Sequence, residues 1–168
     1  YFDTIPNCIG NTREIILDSS PASFCVVYPT ITDTHLKSNG IIINPANTNG
    51  DFGPNQINKT GIYSLELNIN VDKEQQPLRT IMISWGDGST QLVPGVDNRA
   101  SGASPHVFYH YYNSLPTSGN PFQIFIRAYD NWGSYGSCSV RTNGFCNNNS
   151  TDPFNSVADS ISNYAPPN

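Results

Sequence analysis

The stretch SWGDGST, Ser84 to Thr90, follows the apolar run RTIMI and decides how the chain is interpreted. A phosphate-binding loop would lead directly into a helix whose backbone N–H groups face the phosphate. Here Pro94 follows too soon for a helix to begin, which excludes that class of site. A catalytic Asp87 would need a nucleophile, a second carboxylate or a metal. The sequence contains no G-x-S-x-G, H-E-x-x-H or P-loop pattern to supply one.

We therefore expect this stretch to be a structural turn. Gly86 and Gly88 permit positive φ on either side of Asp87, whose carboxylate accepts hydrogen bonds from nearby backbone N–H groups. Trp85 is then placed to fill the core. These roles require no reaction at Asp87, and we expect the chain not to be an enzyme.

The composition is that of one domain with a polar, weakly charged surface. The chain has 168 residues, of which 12% are charged, and its formal net charge is -5. It contains 21 asparagines and only three lysines, and no Lys/Arg cluster that would neutralise nucleic-acid phosphates. No apolar run approaches the ~20 residues of a membrane span. Since no initiator Met or signal peptide precedes Tyr1, we expect a processed chain or an excised fragment.

The cysteines and glycosylation sequons indicate an extracellular or cell-surface protein. Four cysteines allow three pairings. The Asn143-Gly144 turn predicts a hairpin that places Cys138 opposite Cys146, which leaves Cys8 to pair with Cys25. Disulfides require an oxidising compartment. N-glycosylation sequons, which agree with secretion, begin at Asn58, Asn148 and Asn149.

Alternating apolar residues predict an all-β fold. In residues 61–71 one side of the alternation is apolar, and in residues 122–130 the inward set is Phe122, Ile124, Ile126 and Ala128. Similar patterns predict strands at 41–44, 78–85 and 105–112, with turn-forming clusters between them. Short strands separated by turns, without helices among them, are typical of an antiparallel β-sandwich.

The two ends of the chain are predicted to differ from this central region. Residues 12–18 and 23–29 flank a Ser-Ser-Pro-Ala turn and predict an N-terminal hairpin. Near the C-terminus Asp152 is suited to cap a short amphipathic helix beginning at Pro153. We therefore divide the chain into an extension with a hairpin (1–40), the sandwich (41–140), and a C-terminal hairpin with a short helix (141–168).

Three motifs in order resemble the polycystic kidney disease (PKD) domain family. They are ISWGDGST, His110-Tyr111-Tyr112, and FQIFIRAYDNWG at 122–133. That family shows W-G-D-G, an H-x-Y pair, and a strand of the form Y-x-V-x-L-x-V-x-D-x-x-G. The residues matching this strand are Phe122, Ile124, Ile126, Ala128, Asp130 and Gly133, with Phe122 replacing the usual Tyr and Ala128 the usual Val. The resemblance covers residues ~41–140.

The resemblance implies an immunoglobulin-type sandwich in an extracellular or surface protein. Members of the family serve as spacers, as adhesive or protein-contact modules, and as accessory modules of secreted hydrolases, and they are not themselves catalytic. The resemblance implies structural roles for Trp85, Gly86, Asp87, Gly88, His110, Tyr112, Asp130 and Gly133. It implies no binding site.

Other residue clusters have both a functional and an ordinary explanation. Asn44, Asn47, Asn49 and Asp51, joined by Asp72, offer the hard oxygen ligands of a structural calcium ion, although Asn-rich turns usually bind nothing. His106 and His110 are about 13 Å apart on a strand, too far to share a metal. Outward-facing Tyr109 and Tyr111 would form a contact surface, although sheet propensity also favours tyrosine there.

These observations favour a non-catalytic structural or adhesion module of a surface protein or filament subunit, with other surface proteins or copies of itself as partners. Residues 12–18 or 23–28 would then pair with the sheet edge of a neighbouring subunit. The alternative is a carbohydrate-binding accessory domain of a secreted hydrolase. We predict no cofactor other than the calcium ion considered above.

Overall fold

The computed structural model describes residues 12–16, 23–27, 29–71, 78–94, 105–131, 133 and 135–144, and in the first two ranges only the backbone. These residues form twelve β-strands and one short 3-10 turn, Thr142–Gly144. The strands are β1 (Thr12–Ile16), β2 (Ser23–Val27), β3 (Thr30–Ser38), β4 (Ile41–Ile43), β5 (Asp51–Phe52), β6 (Gly61–Asn70), β7 (Leu78–Ser84), β8 (Thr90–Pro94), β9 (His106–Tyr112), β10 (Phe122–Gln123), β11 (Phe125–Asp130) and β12 (Tyr135–Ser139).

Most strands belong to two four-stranded antiparallel sheets. The first sheet has the order β4-β3-β6-β9, and the second has the order β12-β11-β7-β8. Two smaller sheets pair β1 with β2 and β10 with β5. The predicted all-β architecture of antiparallel strands is therefore confirmed. None of the described residues forms a helix long and apolar enough to cross a membrane.

One buried core is shared by the two four-stranded sheets. Strand β6 supplies Tyr63, Leu65, Leu67 and Ile69, the side of the alternation that the sequence marks as apolar. Because side chains on a strand alternate between its faces, every second residue of β6 reaches this core. The second sheet contributes the side chains of Ile81, Ile83, Ile126 and Ala128, and Trp85 extends the same cluster. The arrangement is sandwich-like.

Strand β11 departs from the predicted alternation. Its inward residues Ile126 and Ala128 are buried as expected, but the opposite side of the strand is buried as well. Phe125 and Tyr129 form a second apolar cluster with Met82 of β7. Arg127 lies fully buried beside them, its guanidinium 4.2 Å from the centroid of the Tyr135 ring. The expectation of one buried face is thus wrong for this strand, since its polar-looking side is covered.

The ends of the chain match the prediction in part. β1 and β2 pair antiparallel, from Thr12 opposite Val27 to Ile16 opposite Ser23, which confirms the N-terminal hairpin. β3 belongs to the first sheet although it precedes residue 41, where the sequence places the start of the sandwich. The predicted C-terminal helix lies outside the described residues.

Candidate functional site

The SWGDGST stretch forms a closed turn at the end of β7. The backbone N–H of Trp85 donates to the carbonyl oxygen of Ser89 at 3.0 Å. Gly86 and Gly88 have φ angles of 83° and 91°, in the region that favours glycine. The turn then leads directly into β8, so the chain reverses between two paired strands. The turn that the sequence predicts is therefore present, with positive φ at both glycines.

The carboxylate of Asp87 is bound from inside this turn and from β9. Its Oδ1 accepts hydrogen bonds from the backbone N–H of Ser89, at 3.0 Å, and from the Ser89 hydroxyl. Its Oδ2 lies 2.8 Å from Nε2 of His110, which donates because a carboxylate can only accept. Asp87 therefore ties the turn of the second sheet to strand β9 of the first sheet.

Ser89, His110 and Asp87 have the residue types of a hydrolytic triad but not its geometry. In a triad one imidazole nitrogen binds the carboxylate while the other faces the serine. Here the same nitrogen, Nε2 of His110, lies 2.8 Å from Asp87 and 3.4 Å from the Ser89 hydroxyl. The hydroxyl already donates to Asp87 and is not directed to a base. The arrangement is suited to holding a turn.

Aromatic rings pack the motif residues together. The Trp85 indole is 1% exposed and stacks on His110 with ring centroids 4.6 Å apart. Tyr112 meets His110 edge to face and stacks on Phe122 at 5.1 Å. The Tyr112 hydroxyl donates to the backbone carbonyl of Trp85 at 2.8 Å. Trp85, Asp87, His110 and Tyr112 thus form one contiguous unit, with ring geometries that are favourable for aromatic pairs.

Burial and neighbouring groups shift the pKa values of Asp87 and Tyr112 in this unit. Burial raises the pKa of Asp87, but the hydrogen bonds from Ser89 and His110 and the electrostatic attraction of His110 outweigh burial and hold the pKa below 3.8. Burial, reinforced by the negative charge of Asp87 and by Tyr63, raises the pKa of Tyr112 far above its usual value. Asp87 is therefore ionised and Tyr112 neutral at physiological pH.

The lowered pKa of Asp87 makes stability depend on pH in the acid range. A carboxylate with a depressed pKa in the folded state stabilises the protein above its unfolded pKa, and this contribution is lost as the pH falls through the folded value. Asp87→Asn should therefore lower the free energy of unfolding by about 1–3 kcal/mol at pH 7. The deficit should shrink below pH 3.8. Urea denaturation at pH 7, 5 and 3 measures it.

Ser89→Ala is the companion variant, since it removes one donor to Asp87 but leaves the carboxylate in place. It should cause a smaller loss at pH 7 than Asp87→Asn and shift the acid limb of the stability profile toward higher pH. A deficit for Asp87→Asn that is equal at pH 3 and pH 7 would contradict a stabilising role of the charge.

The end of the third motif, with Asp130 and Gly133, lies at the other end of the second sheet. Ser84 pairs with Phe125, whereas Asp130 pairs with Leu78 across a bulge. The backbone N–H of Gly133, at a φ of 81°, donates to the carbonyl oxygen of Asp130 at 3.2 Å. Asp130 is fully buried. The structure thus separates these two residues from the unit around Trp85.

The loop proposed for calcium is held by its own hydrogen bonds. Oδ1 of Asn47 accepts from the backbone N–H groups of Asn49 and Asp51, at 3.0 and 3.3 Å. The Asp51 carboxylate accepts from the amides of Asn47 and Gln123. Asn44 is exposed, and Asp72 lies outside the described residues. Among the residues with a described position, no group of three or more His, Cys, Asp and Glu side chains is placed to hold a metal.

The structure describes only some of the remaining predicted site residues, which are the cysteines, the glycosylation asparagines and the two histidines of β9. Cys138 is buried and disulfide-bonded. Cys8, Cys146 and the side chain of Cys25 lie outside the described residues, so the pairing stays a prediction. Asn58 is exposed in the segment before β6, as glycosylation requires, whereas Asn148 and Asn149 also lie outside the described residues. His106 begins β9 and His110 is committed to Asp87.

Tyr109 and Tyr111 lie on the outer face of the first sheet, where the sequence predicts a contact surface. They are 67% and 59% exposed. Val107 is 40% exposed on the same strand, and Ile62, directly opposite Tyr111 on β6, is 63% exposed. We call these four residues the β9 face. Sequence reasoning missed Ile62 and Val107, although Ile62 stands out as the apolar member of an otherwise polar set on β6.

Comparison with known proteins identifies no relative: no family model, curated protein or solved structure matches the chain.

Proposed function

We propose that this chain is a non-catalytic structural or adhesion module of an extracellular surface protein or filament, and that the β9 face is its contact surface. The observation that carries the proposal is the exposure of two tyrosines, an isoleucine and a valine side by side on one sheet face. Tyrosine offers a large, rigid contact area with a polar tip, which is why it is enriched at protein interfaces.

The state of Asp87 supports a non-catalytic role. Both carboxylate oxygens are engaged by Ser89 and His110, and the side chain is 9% exposed. A general base or nucleophile must instead reach a substrate. Asp87, His110 and Ser89 are used to join a turn to a strand.

The packed unit of Trp85, Asp87, His110 and Tyr112 supports a PKD-like, immunoglobulin-type sandwich. The W-G-D-G turn and the H-x-Y pair, which the sequence separates, meet through the Trp85–His110 stack and the Tyr112 hydrogen bond. Two antiparallel four-stranded sheets around a common core are the layers that such a fold needs. We assign the chain to this architecture on these contacts.

Two features support an extracellular location. Cys138 is disulfide-bonded, and disulfides persist in oxidising compartments. Asn58, the acceptor of an N-K-T sequon, is exposed next to the start of β6.

A carbohydrate-binding accessory domain is the second candidate, because Tyr109 and Tyr111 are two residues apart and share one strand face. Exposed aromatic rings on one face can stack on sugar rings. The contact would use the same β9 face but a different partner.

Adhesion of coated beads separates these functions. Beads carrying the full chain are washed over surfaces coated with the same chain, with a panel of extracellular proteins, or with cellulose and chitin. Adhesion to protein that falls about tenfold or more in Tyr109→Ser/Tyr111→Ser supports the proposal. The matched control is Leu92→Ser, at a residue 47% exposed on β8, which should adhere normally. Adhesion to polysaccharide alone supports the second candidate, and adhesion to none of the surfaces contradicts both.

A further inference from the structure

The chain contains three Asn-Gly pairs, and the structure places them in very different surroundings. They are Asn39-Gly40, Asn49-Gly50 and Asn143-Gly144. In such a pair the backbone nitrogen of the glycine can attack the side-chain amide of the asparagine, because glycine has no side chain to block the approach. The reaction requires the backbone around the pair to rotate into a cyclic geometry. Its rate in a folded protein therefore depends on how easily that segment opens.

The first pair forms the tip of the hairpin between β3 and β4. Asn39 and Gly40 have φ angles of 50° and 78°, as expected for a two-residue type I′ turn. Both residues are exposed, and no atom outside the chain neighbours lies within 4 Å of a Cβ added at Gly40. The turn is closed by the pairing of Ser38 with Ile41, so Asn39 and Gly40 lie outside the strand ladder. This pair has room to change its conformation.

Opening the tip of this hairpin disturbs little of the core. β4 is joined to β3 by three residue pairs, and its first two side chains, Ile41 and Ile42, are 72% and 45% exposed. Separation of the pair next to the turn therefore exposes little additional apolar surface. Segments with few buried contacts are the ones that open at low free energy in native proteins.

The second pair is held by hydrogen bonds and by close packing. The backbone N–H of Gly50, which would be the attacking group, donates to the carbonyl oxygen of Asn47 at 3.3 Å. The backbone N–H of Asn49 donates to Oδ1 of the same Asn47 at 3.0 Å. Gly50 is buried, and a Cβ added there would lie 2.5 Å from the carbonyl oxygen of Val140. Rotation of this pair requires the loop to leave Val140.

The third pair is held through its glycine. The backbone N–H of Gly144 donates to the carbonyl oxygen of Arg141 at 3.2 Å, and its own carbonyl oxygen accepts from the Thr34 hydroxyl at 3.5 Å. Gly144 is buried, and a Cβ added there would overlap the Asp33 carboxylate and lie 2.9 Å from Cε1 of His35. Rotation of this pair requires the 3-10 turn to leave β3.

We propose that Asn39 is a site of spontaneous deamidation, and that in the folded protein it reacts well before Asn49 and Asn143. The nitrogen of Gly40 forms a bond to Cγ of Asn39, the bond from Cγ to the side-chain nitrogen breaks, and ammonia leaves with the proton of the Gly40 N–H. Water then opens the cyclic imide. Opening at Cγ gives aspartate, and opening at the backbone carbonyl carbon gives isoaspartate, in which the main chain continues through the side chain. The inference does not depend on the proposed function.

The two products should affect the hairpin differently. Aspartate tolerates positive φ as asparagine does, so the turn is kept and the formal net charge of -5 gains one further negative charge. Isoaspartate adds one methylene group to the main chain, which a two-residue turn does not accommodate without a change of register. We therefore expect the pairing of β4 with β3 to loosen only in the isoaspartate form.

Peptide mapping of the intact chain tests the site. The folded protein is kept at mildly alkaline pH, and samples are reduced, digested with trypsin and analysed by tandem mass spectrometry. Asn39 and Asn49 share the tryptic peptide 38–59, in which fragment ions distinguish them, and Asn143 lies in peptide 142–168. Asn39 should react about tenfold faster or more than the other two. In guanidinium chloride with a reductant the three rates should converge, because no pair is then held by the fold.

Asn39→Gly is the matched control, since Gly-Gly is also accepted in type I′ turns and carries no amide to lose. Ageing of the unmodified protein should produce an acidic species on ion exchange, and this variant should not produce it. Hydrogen exchange of residues 41–43 then compares the aspartate and isoaspartate forms of the aged protein, and should be faster in the isoaspartate form alone.

Three results would overturn the inference. Asn49 or Asn143 reacts as fast as Asn39 in the folded chain; or Asn39 stays unmodified there while all three pairs react in guanidinium chloride; or Asn39→Gly yields the same acidic species at the same rate. Equal hydrogen exchange in the two product forms would overturn the expected loosening of β4.

Discussion

Replacement of Gly86 by alanine is expected to lower the free energy of unfolding by about 2–5 kcal/mol. Gly86 has a φ of 83°, a conformation that costs an L-residue about 1–2 kcal/mol. A Cβ atom here would also lie 2.5 Å from the backbone nitrogen of Gln123 and 2.9 Å from its oxygen. Because these neighbours are backbone atoms of β10, they can move only if the strand moves, and such overpacking costs about 1–3 kcal/mol.

Gly88→Ala is the matched control, because it shares the backbone conformation without the close approach. Gly88 has a φ of 91°, and no atom outside its chain neighbours lies within 4 Å of an added Cβ. Its replacement should cost only the conformational part, about 1–2 kcal/mol. Urea denaturation followed by far-UV circular dichroism measures both variants. Equal losses for the two would show that the contact with Gln123 is unimportant.

Trp85→Ala should destabilise the fold by about 3–5 kcal/mol, the range for truncation of a buried tryptophan. The side chain is 1% exposed, stacks on His110 and lies edge to face with Tyr112 at 6.5 Å. Its removal leaves a cavity at the place where both sheets meet. Since small domains are stable by about 5–15 kcal/mol, this loss removes a substantial fraction of the total free energy of unfolding.

Trp85→Phe distinguishes loss of volume from loss of the indole N–H. Phenylalanine restores most of the buried ring but not the hydrogen bond that the indole Nε1 donates to Gln91, at 3.3 Å. It should recover more than half of the loss caused by alanine, because a long bond of this kind contributes about 1 kcal/mol. Thermal unfolding followed by circular dichroism measures the series. Similar stability for Trp85→Ala and the unmodified protein would refute the central packing role of Trp85.

Contacts among the motif residues were predictable from the sequence only in part. The glycines around Asp87 predicted positive φ, and the apolar side of β6 predicted the core, because both properties belong to short stretches of chain. The resemblance grouped Trp85 with His110, and the structure places their rings in contact. The resemblance likewise grouped Asp130 with Trp85 and His110. In the structure, however, Asp130 pairs with Leu78, at the end of β11 far from Trp85.

Several strands could not be recognised from local pattern. β3 contains a bulge between Ile31 and Asp33 that shifts its inward set to Ile31, Thr34 and Leu36, so its alternation is broken. β12, with the sequence YGSCS, has few apolar residues and gains its place by pairing with β11. Pairing between distant segments overrides weak local preference in such strands.

The sequence by itself determined the all-β character, the turn at Asp87 and the outward position of Tyr109 and Tyr111, since each follows from the period of two or from backbone freedom within a few residues. Only the tertiary structure decided that Asp87 joins the turn to His110, that Gly86 lies against Gln123, and that β9 pairs with β6. These features depend on which distant segments become neighbours, and the order of strands in a sheet is fixed by packing of the whole core.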